Sequence, residues 1–314
     1  MAEVLGMLIP FFGLIAIGYV AALYFKQGAE ALGWLNIYVI YAAMPALLFK
    51  LVSRAPFADI ARVDFILMDI GATYLVFGAV YAAAVLWRRA SVPDATMQAF
   101  AGAYGNIGFM GPGLSLLAFG EKAAIPVALI VCFENATHFM VVPALMAFAQ
   151  GDRRSVARLS GDIARKVLSH PFVLGAFAGL LAAAFEWQQP RPLMQLVDGL
   201  GQSAAPVALF SIGVTLALKP VGRVPRDILV AVPIKLIVHP LVVFAVLSLA
   251  GRFDPVWVHT AMLVAALPTA ASVHVMAQVY GAWQDKASAT ILITTVCSVF
   301  TLTAFLYAIR AGWF

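Results

Sequence analysis

Apolar runs of membrane length follow one another along this chain almost without pause. A helix needs about 20 apolar residues to cross a bilayer. In lipid, every backbone N–H and C=O must be satisfied within the protein, which makes helices the natural spanning elements. Ten runs can be read, at 4–25, 31–51, 64–87, 97–118, 121–148, 169–187, 195–217, 227–249, 255–279 and 286–310. Only 11% of residues are Asp, Glu, Lys or Arg, against about 25% in a soluble domain. The chain is therefore expected to be an all-α polytopic membrane protein with ten transmembrane helices. Its formal charge of +5 resides mostly in short loops and does not point to nucleic acid. Met1-Ala2-Glu3 places no basic residue before the first apolar run, so no cleavable signal peptide is expected. Cys132 and Cys297 lie in apolar runs and have neither disulfide nor metal spacing.

The fourth run contains a stretch that resists helix formation, Gly105-Asn106-Ile107-Gly108-Phe109-Met110-Gly111-Pro112-Gly113. Glycine costs about 1 kcal/mol in a helix interior and proline about 3 kcal/mol. The asparagine brings an amide that hydrocarbon cannot satisfy. Irregular backbone at membrane depth is tolerated where it lines a cavity inside protein. Span 4 is thus expected to be broken there.

The basic linker 150–168 divides the chain into halves of five spans, 1–149 and 169–314. With that linker in the cytoplasm, twelve Lys and Arg fall on its side and six on the other, or seven counting Lys50. The positive-inside rule then places both termini in the periplasm. Five is odd, so the second half enters the membrane in the opposite sense to the first. A shift of 161 residues aligns Pro10-Phe11 with Pro171-Phe172, Gly18 with Gly179, Pro45 with Pro206, Phe49 with Phe210 and Gly120 with Gly281. These landmarks predict a 5+5 inverted repeat, an architecture common among secondary transporters. The same shift carries Asn106-Ile107 onto Leu267-Pro268, inside span 9. Matched interruptions, one in each half, are the best pointer to a transporter's binding site.

Each break exposes N–H groups and about half a positive charge at a new helix N-terminus. Such ends can hold a small anion without a buried Arg or Lys. Candidate substrate-binding residues are therefore Gly105, Asn106, Gly108, Pro268, Thr269, Ser272 and His274. Ionisable and polar residues within other spans are candidates for coupling or charge balance: Asp69 in span 3, Glu134, Asn135 and His138 in span 5, and Lys235 in span 8. Glu134 and His138 share a helix face at i, i+4, as do Lys235 and His239. Asp69 and Lys235 could instead snorkel to an interface. The residues offer no nucleophile motif and no complete metal set, so neither an enzyme nor a cofactor is expected; a coupling ion would be H+ or Na+.

The run Asn106, Gly108, Phe109, Gly111 and Leu114 resembles the motif of the auxin efflux carrier family, which includes bacterial malonate or malate permeases and the plant PIN carriers. Pro112-Gly113 departs from the family pattern. Pro45-Ala46-Leu47-Leu48-Phe49 and the segment from Pro206 to Gly213 are similar to further family elements. The resemblance implies a fold like that of sodium–bile acid symporters, with broken spans 4 and 9 crossing. It implies a scaffold of spans 1, 2, 6 and 7, a mobile transport domain of spans 3–5 and 8–10, elevator-type movement and a homodimer. Asn106 and Pro268 would fall at the crossing. The PIN carriers have a second asparagine in span 9; here Thr269, Ser272 or His274 would replace it. The expected function is secondary transport of small organic anions, mono- or dicarboxylates with auxin-like acids among the candidates, across a bacterial inner membrane. Alternatives are a sodium- or proton-coupled symporter of another solute, or a channel or sensor on the same fold.

Overall fold

A computed structural model describes residues 2–56, 60, 62–149, 161, 165, 168–218 and 228–314. Most of the basic linker lies outside the described residues. The helices are α1 (Ala2–Phe25), α2 (Leu32–Ser53), α3 (Val63–Leu86), α4 (Val92–Ala103), α5 (Ile107–Phe119), α6 (Ala124–Ala149), α7 (Pro171–Ala184), α8 (Arg191–Leu218), α9 (Val230–Ala250), α10 (Pro255–Ala265), α11 (Ala271–Tyr280) and α12 (Gln284–Arg310). Among the described residues the only β-pairing is one isolated bridge. Among the described residues, seven helical stretches are long and apolar enough to cross a membrane; α7 and α10 are shorter apolar helices. The chain is a polytopic membrane protein. Neither 97–118 nor 255–279 is a continuous helix, since α4 and α5, and α10 and α11, are separate pieces.

Helix ends follow local chemistry. Ser91 caps α4 by accepting from the Asp94 amide, and Asp254 caps α10 by accepting from the Val256 amide. Each is followed by a proline in the first turn, where a missing N–H is harmless. Gly120 after α5 and Gly281 after α11 both adopt left-handed φ, +66° and +65°, the conformation that favours glycine at a helix end. Two π-helical turns, Val39–Ala43 in α2 and Ile234–Val238 in α9, lie just before Pro45 and Pro240. A proline removes one rung of the ladder and its ring crowds the preceding turn. The wider π turn accommodates both effects.

By packing, the chain forms two compact units. The first comprises Met1–Val63, Gly108–Cys132 and Ser169–Pro220. Its helices meet backbone to backbone. A Cβ on Gly18 of α1 would lie 2.2 Å from the Phe210 carbonyl oxygen of α8, and one on Gly213 would lie 2.0 Å from that of Ile15. Between α7 and α2, a Cβ on Gly179 would lie 2.8 Å from the Phe49 carbonyl oxygen, and one on Gly175 2.5 Å from that of Pro45. The second unit comprises Asp64–Ile107, Phe133–Leu168 and Val221–Phe314. It holds every buried Asp, Glu, His and Lys side chain among the described residues: Asp69, Glu134, His138, Lys235 and His239.

Candidate functional site

The interruption of span 4 is short. α4 ends at Ala103 and α5 begins at Ile107, so the break occupies residues 104–106, the head of the glycine-rich stretch rather than its length. Residues 108–113 are helical, Pro112 included. Their glycines are packing positions in the first unit: a Cβ on Gly108 would lie 3.0 Å from the Phe172 ring, and one on Gly113 would lie 2.7 Å from Ala205 Cβ. Of the substrate-binding candidates, Gly108 therefore belongs with the first unit, and the others belong with the second.

Span 9 breaks at residues 266–270, and the two breaks pair. Gly105 and Thr269 form an antiparallel bridge. The Asn106 amide donates to the Pro268 carbonyl at 2.7 Å, and the Ala270 amide donates to the Tyr104 carbonyl at 3.3 Å. Backbone groups freed by breaking the helices are thus satisfied by each other, as a buried site requires. The first turn of α11, from Ala271, presents amides that a helix leaves without an intrahelical partner. The nearly buried side chain of Asn106 makes no hydrogen bond among the described residues. Ser272 lies beside the Tyr104 hydroxyl, and His274 sits half-buried one turn into α11.

Each helix that ends at the crossing has its carbonyls capped from elsewhere. Thr269 donates its hydroxyl to the Ala101 carbonyl of α4 at 2.9 Å, and its own amide donates to Thr294 Oγ1 of α12 at 3.1 Å. The last carbonyl of α10, Ala265, accepts from the Lys235 ammonium. A cation at a helix C-terminus complements the macrodipole. Lys235 is fully buried, so it does not snorkel. Its Nζ lies 3.2 Å from His239 Nδ1, and Thr73 Oγ1 of α3 lies 3.1 Å from His239 Nε2. Since an ammonium only donates, Nδ1 accepts and Nε2–H donates to Thr73. The ammonium also lies directly behind the break, 3.3 Å from where a Cβ on Gly105 would stand.

A second cluster sits beside the first. Glu134 Oε1 and His138 Nε2 are 3.5 Å apart on one face of α6. Tyr74 of α3 hydrogen-bonds His138 Nδ1 at 3.3 Å. Tyr104, whose carbonyl joins the bridge, donates its hydroxyl to Asn135 Oδ1. Asp69 is buried and interacts electrostatically with Glu134, which also interacts with Lys235. Asp69 therefore does not snorkel either. The structure thus brings Asp69, Glu134, Asn135, His138 and Lys235 into the unit that carries the crossing. The i, i+4 spacing already pairs His239 with Lys235, whereas the polar roles of Thr73, Tyr74, Tyr104 and Thr294 were not read from the sequence. Thr294 had a signal, since it shares one face of α12 with Thr290 and Ser298.

Interrupted apolar helices whose broken ends pair and are capped by buried polar groups are a feature of many secondary transporters. The chain belongs to the auxin efflux carrier family of membrane transporters: the family profile described as "Membrane transport protein" matches residues 3–306. It is 55% identical over 312 residues to the "Putative malonate transporter" of Rhizobium meliloti (strain 1021), covering 99% of this chain and 98% of that protein. It is 24% identical over 295 residues to an "Uncharacterized transporter" of Methanothermobacter thermautotrophicus, covering 92% and 93% respectively. The family and these names are those of transporters, not of enzymes.

Proposed function

We propose that the protein is a secondary transporter of small carboxylates, with malonate the first substrate to test, and that the carboxylate binds at the crossing of the two broken spans. One observation carries this reading: a nearly buried Asn106 carboxamide without a protein partner among the described residues, set at the bridge with the Lys235 ammonium behind it. Asn106, Ser272 and the amides opening α11 supply donors, while Thr269, whose hydroxyl and amide are already engaged, shapes the break, and Gly105 leaves room for the Lys235 ammonium behind it. The name of the Rhizobium relative supports a dicarboxylate.

The same reading includes a ten-span inverted repeat. Gly18 packs on Phe210 and Gly179 on Phe49, and a shift of 161 residues exchanges one contact for the other. The left-handed caps Gly120 and Gly281 are also 161 residues apart. An elevator movement draws support from the two separately packed units. The first contains spans 1, 2, 6 and 7 together with Gly108–Cys132, and the second contains spans 3, 8, 9 and 10. A homodimer in the bacterial inner membrane with periplasmic termini completes the proposal, the orientation resting on the Lys and Arg bias. At about 2.3 kcal/mol per charge per 100 mV, an inside-negative potential drives anions outward, so uptake needs cotransported cations.

Substrate counterflow in proteoliposomes tests this. The wild-type chain exchanges malonate saturably, which a channel does not. Asn106→Ala lowers apparent affinity about tenfold or more, the scale of one hydrogen bond to a charged group. Unchanged uptake of every tested mono- and dicarboxylate by Asn106→Ala would remove the crossing as the site.

A further inference from the structure

We propose that Glu134 is a proton site loaded together with the anionic substrate, with His138 as its partner and Lys235 as its link to the crossing. The proposal rests on the transporter reading and adds the coupling ion.

Two buried polar atoms of α6 are orphaned. Glu134 Oε1 and His138 Nε2 are both enclosed, and neither has a hydrogen-bond partner. They face each other at 3.5 Å. A buried polar atom left unsatisfied costs about 1–3 kcal/mol, so a pair held this way is arranged around a proton. Two arrangements satisfy it. With the carboxylate ionised, His138 carries its proton on Nε2 and donates to Glu134, while the Tyr74 hydroxyl donates to Nδ1. With Glu134 protonated, the carboxyl O–H donates to Nε2, and Nδ1–H donates to the Tyr74 oxygen. Tyr74, 3.3 Å from Nδ1, serves both because a hydroxyl donates and accepts. A small closing movement makes the bond in either case.

The surrounding charges make the proton count matter. Glu134 is faced by Asp69, Thr73 and Tyr74 from α3, by Tyr104 from the break, by Lys235 from α9 and by His138 from its own helix. His239 stands behind Lys235. Two carboxyl groups therefore share one ammonium, whose imidazole neighbour is a neutral acceptor. Holding both acids ionised leaves a net negative charge inside the membrane, and an uncompensated buried charge is costly. A proton taken up by one acid relieves that charge.

Lys235 carries this requirement to the substrate. The ammonium that balances Glu134 also holds the Ala265 carbonyl and lies behind Gly105. A carboxylate arriving at Asn106 takes a share of that positive field. Glu134 then holds a proton more tightly, and by linkage the proton makes the anion bind more tightly. The proton enters from the solvent on the loading side and leaves with the substrate, and no bond other than O–H is made or broken.

The test uses the purified full chain in detergent with malonate and a panel of mono- and dicarboxylates. Affinity is read between about pH 7 and about pH 9, above the ordinary carboxylate range, and proton uptake on binding is read with an indicator dye in weak buffer. For the wild type the expected results are uptake approaching about one proton per substrate bound, and affinity that weakens by up to about tenfold per pH unit as pH rises. Glu134→Gln, which keeps size and a donor toward His138, is expected to bind with a flat profile and no proton uptake. Binding without proton uptake by the wild type overturns the proton site and leaves the transporter reading standing. So does a pH slope that survives Glu134→Gln but is lost in Asp69→Asn. Failure of every carboxylate to bind at any pH overturns both. Should Glu134→Gln not fold, the wild-type proton count decides.

Discussion

In the first unit helices meet through glycine, whereas in the second they meet through polar side chains. Gly18 and Gly213 bring α1 and α8 so close that a methyl group would strike backbone, and among the described residues the buried polar side chains there are only Ser115 and Ser211. The second unit buries a lysine, two carboxylic acids, two imidazoles and a series of threonines. Lipid tails are as apolar as leucine, so helices in a membrane gain little from hydrophobic burial against one another. Close backbone approach is one remedy and internal hydrogen bonding is the other. The first makes a closely packed body without a buried Asp, Glu, His or Lys among the described residues. The second makes a body whose packing depends on charge, which suits a binding and coupling role.

That contrast can be broken most forcefully at Lys235. Lys235→Met leaves the Ala265 carbonyl uncapped and the acids unbalanced, and removing one partner of a buried charge set costs about 3–5 kcal/mol. Thermal unfolding in detergent should register the loss, and adding Glu134→Gln should restore part of it, since the pair is coupled. Next comes Gly213→Val in the first unit. Overpacking costs about 1–3 kcal/mol, and a backbone oxygen 2.0 Å away places this change at the upper end. Gly13→Val, on the same helix as Ile15 but with open space around its Cβ position, should leave the unfolding temperature nearly unchanged. Equal effects at Gly13 and Gly213 would discard the close-packing account.

Thr269→Val tests the crossing itself. It removes the bond to the Ala101 carbonyl and leaves a buried acceptor unsatisfied, at a cost of about 1–3 kcal/mol. Weaker carboxylate binding in the same assay would show that capping the break shapes the site. The smallest effect is expected at Gly281→Ala, where a left-handed residue gains a Cβ at about 1 kcal/mol. Gly120→Ala should match it, and a large disparity between the two would weaken the repeat.

Much of this organisation was legible because membranes limit the options. The apolar runs showed a polytopic helical protein, and Asn106 with Pro268 marked the two interruptions. The extent of the first break was misjudged for a physical reason. Glycine is needed equally where backbone departs from helix and where helices touch, and composition alone cannot separate the two uses. Gly105 serves the first, while Gly108 and Gly113 serve the second. Lys235 posed a similar ambiguity: a long flexible stem can snorkel outward or reach inward, and only the Ala265 carbonyl settles its direction. Thr269 is a substrate-ligand candidate by sequence, and in the structure its hydroxyl caps α4.

What the sequence determined by itself is the solvent and the punctuation: apolar runs that lipid must surround, and glycines and prolines at which regular helix must give way, because backbone sterics and hydrogen bonding act over a few residues. Which broken ends pair, which carbonyl a buried lysine caps, and which two atoms of Glu134 and His138 are left facing each other were decided only by tertiary structure. Each of those depends on groups from helices far apart in the chain, and a charge or a hydrogen bond acts across distances that only the folded protein sets.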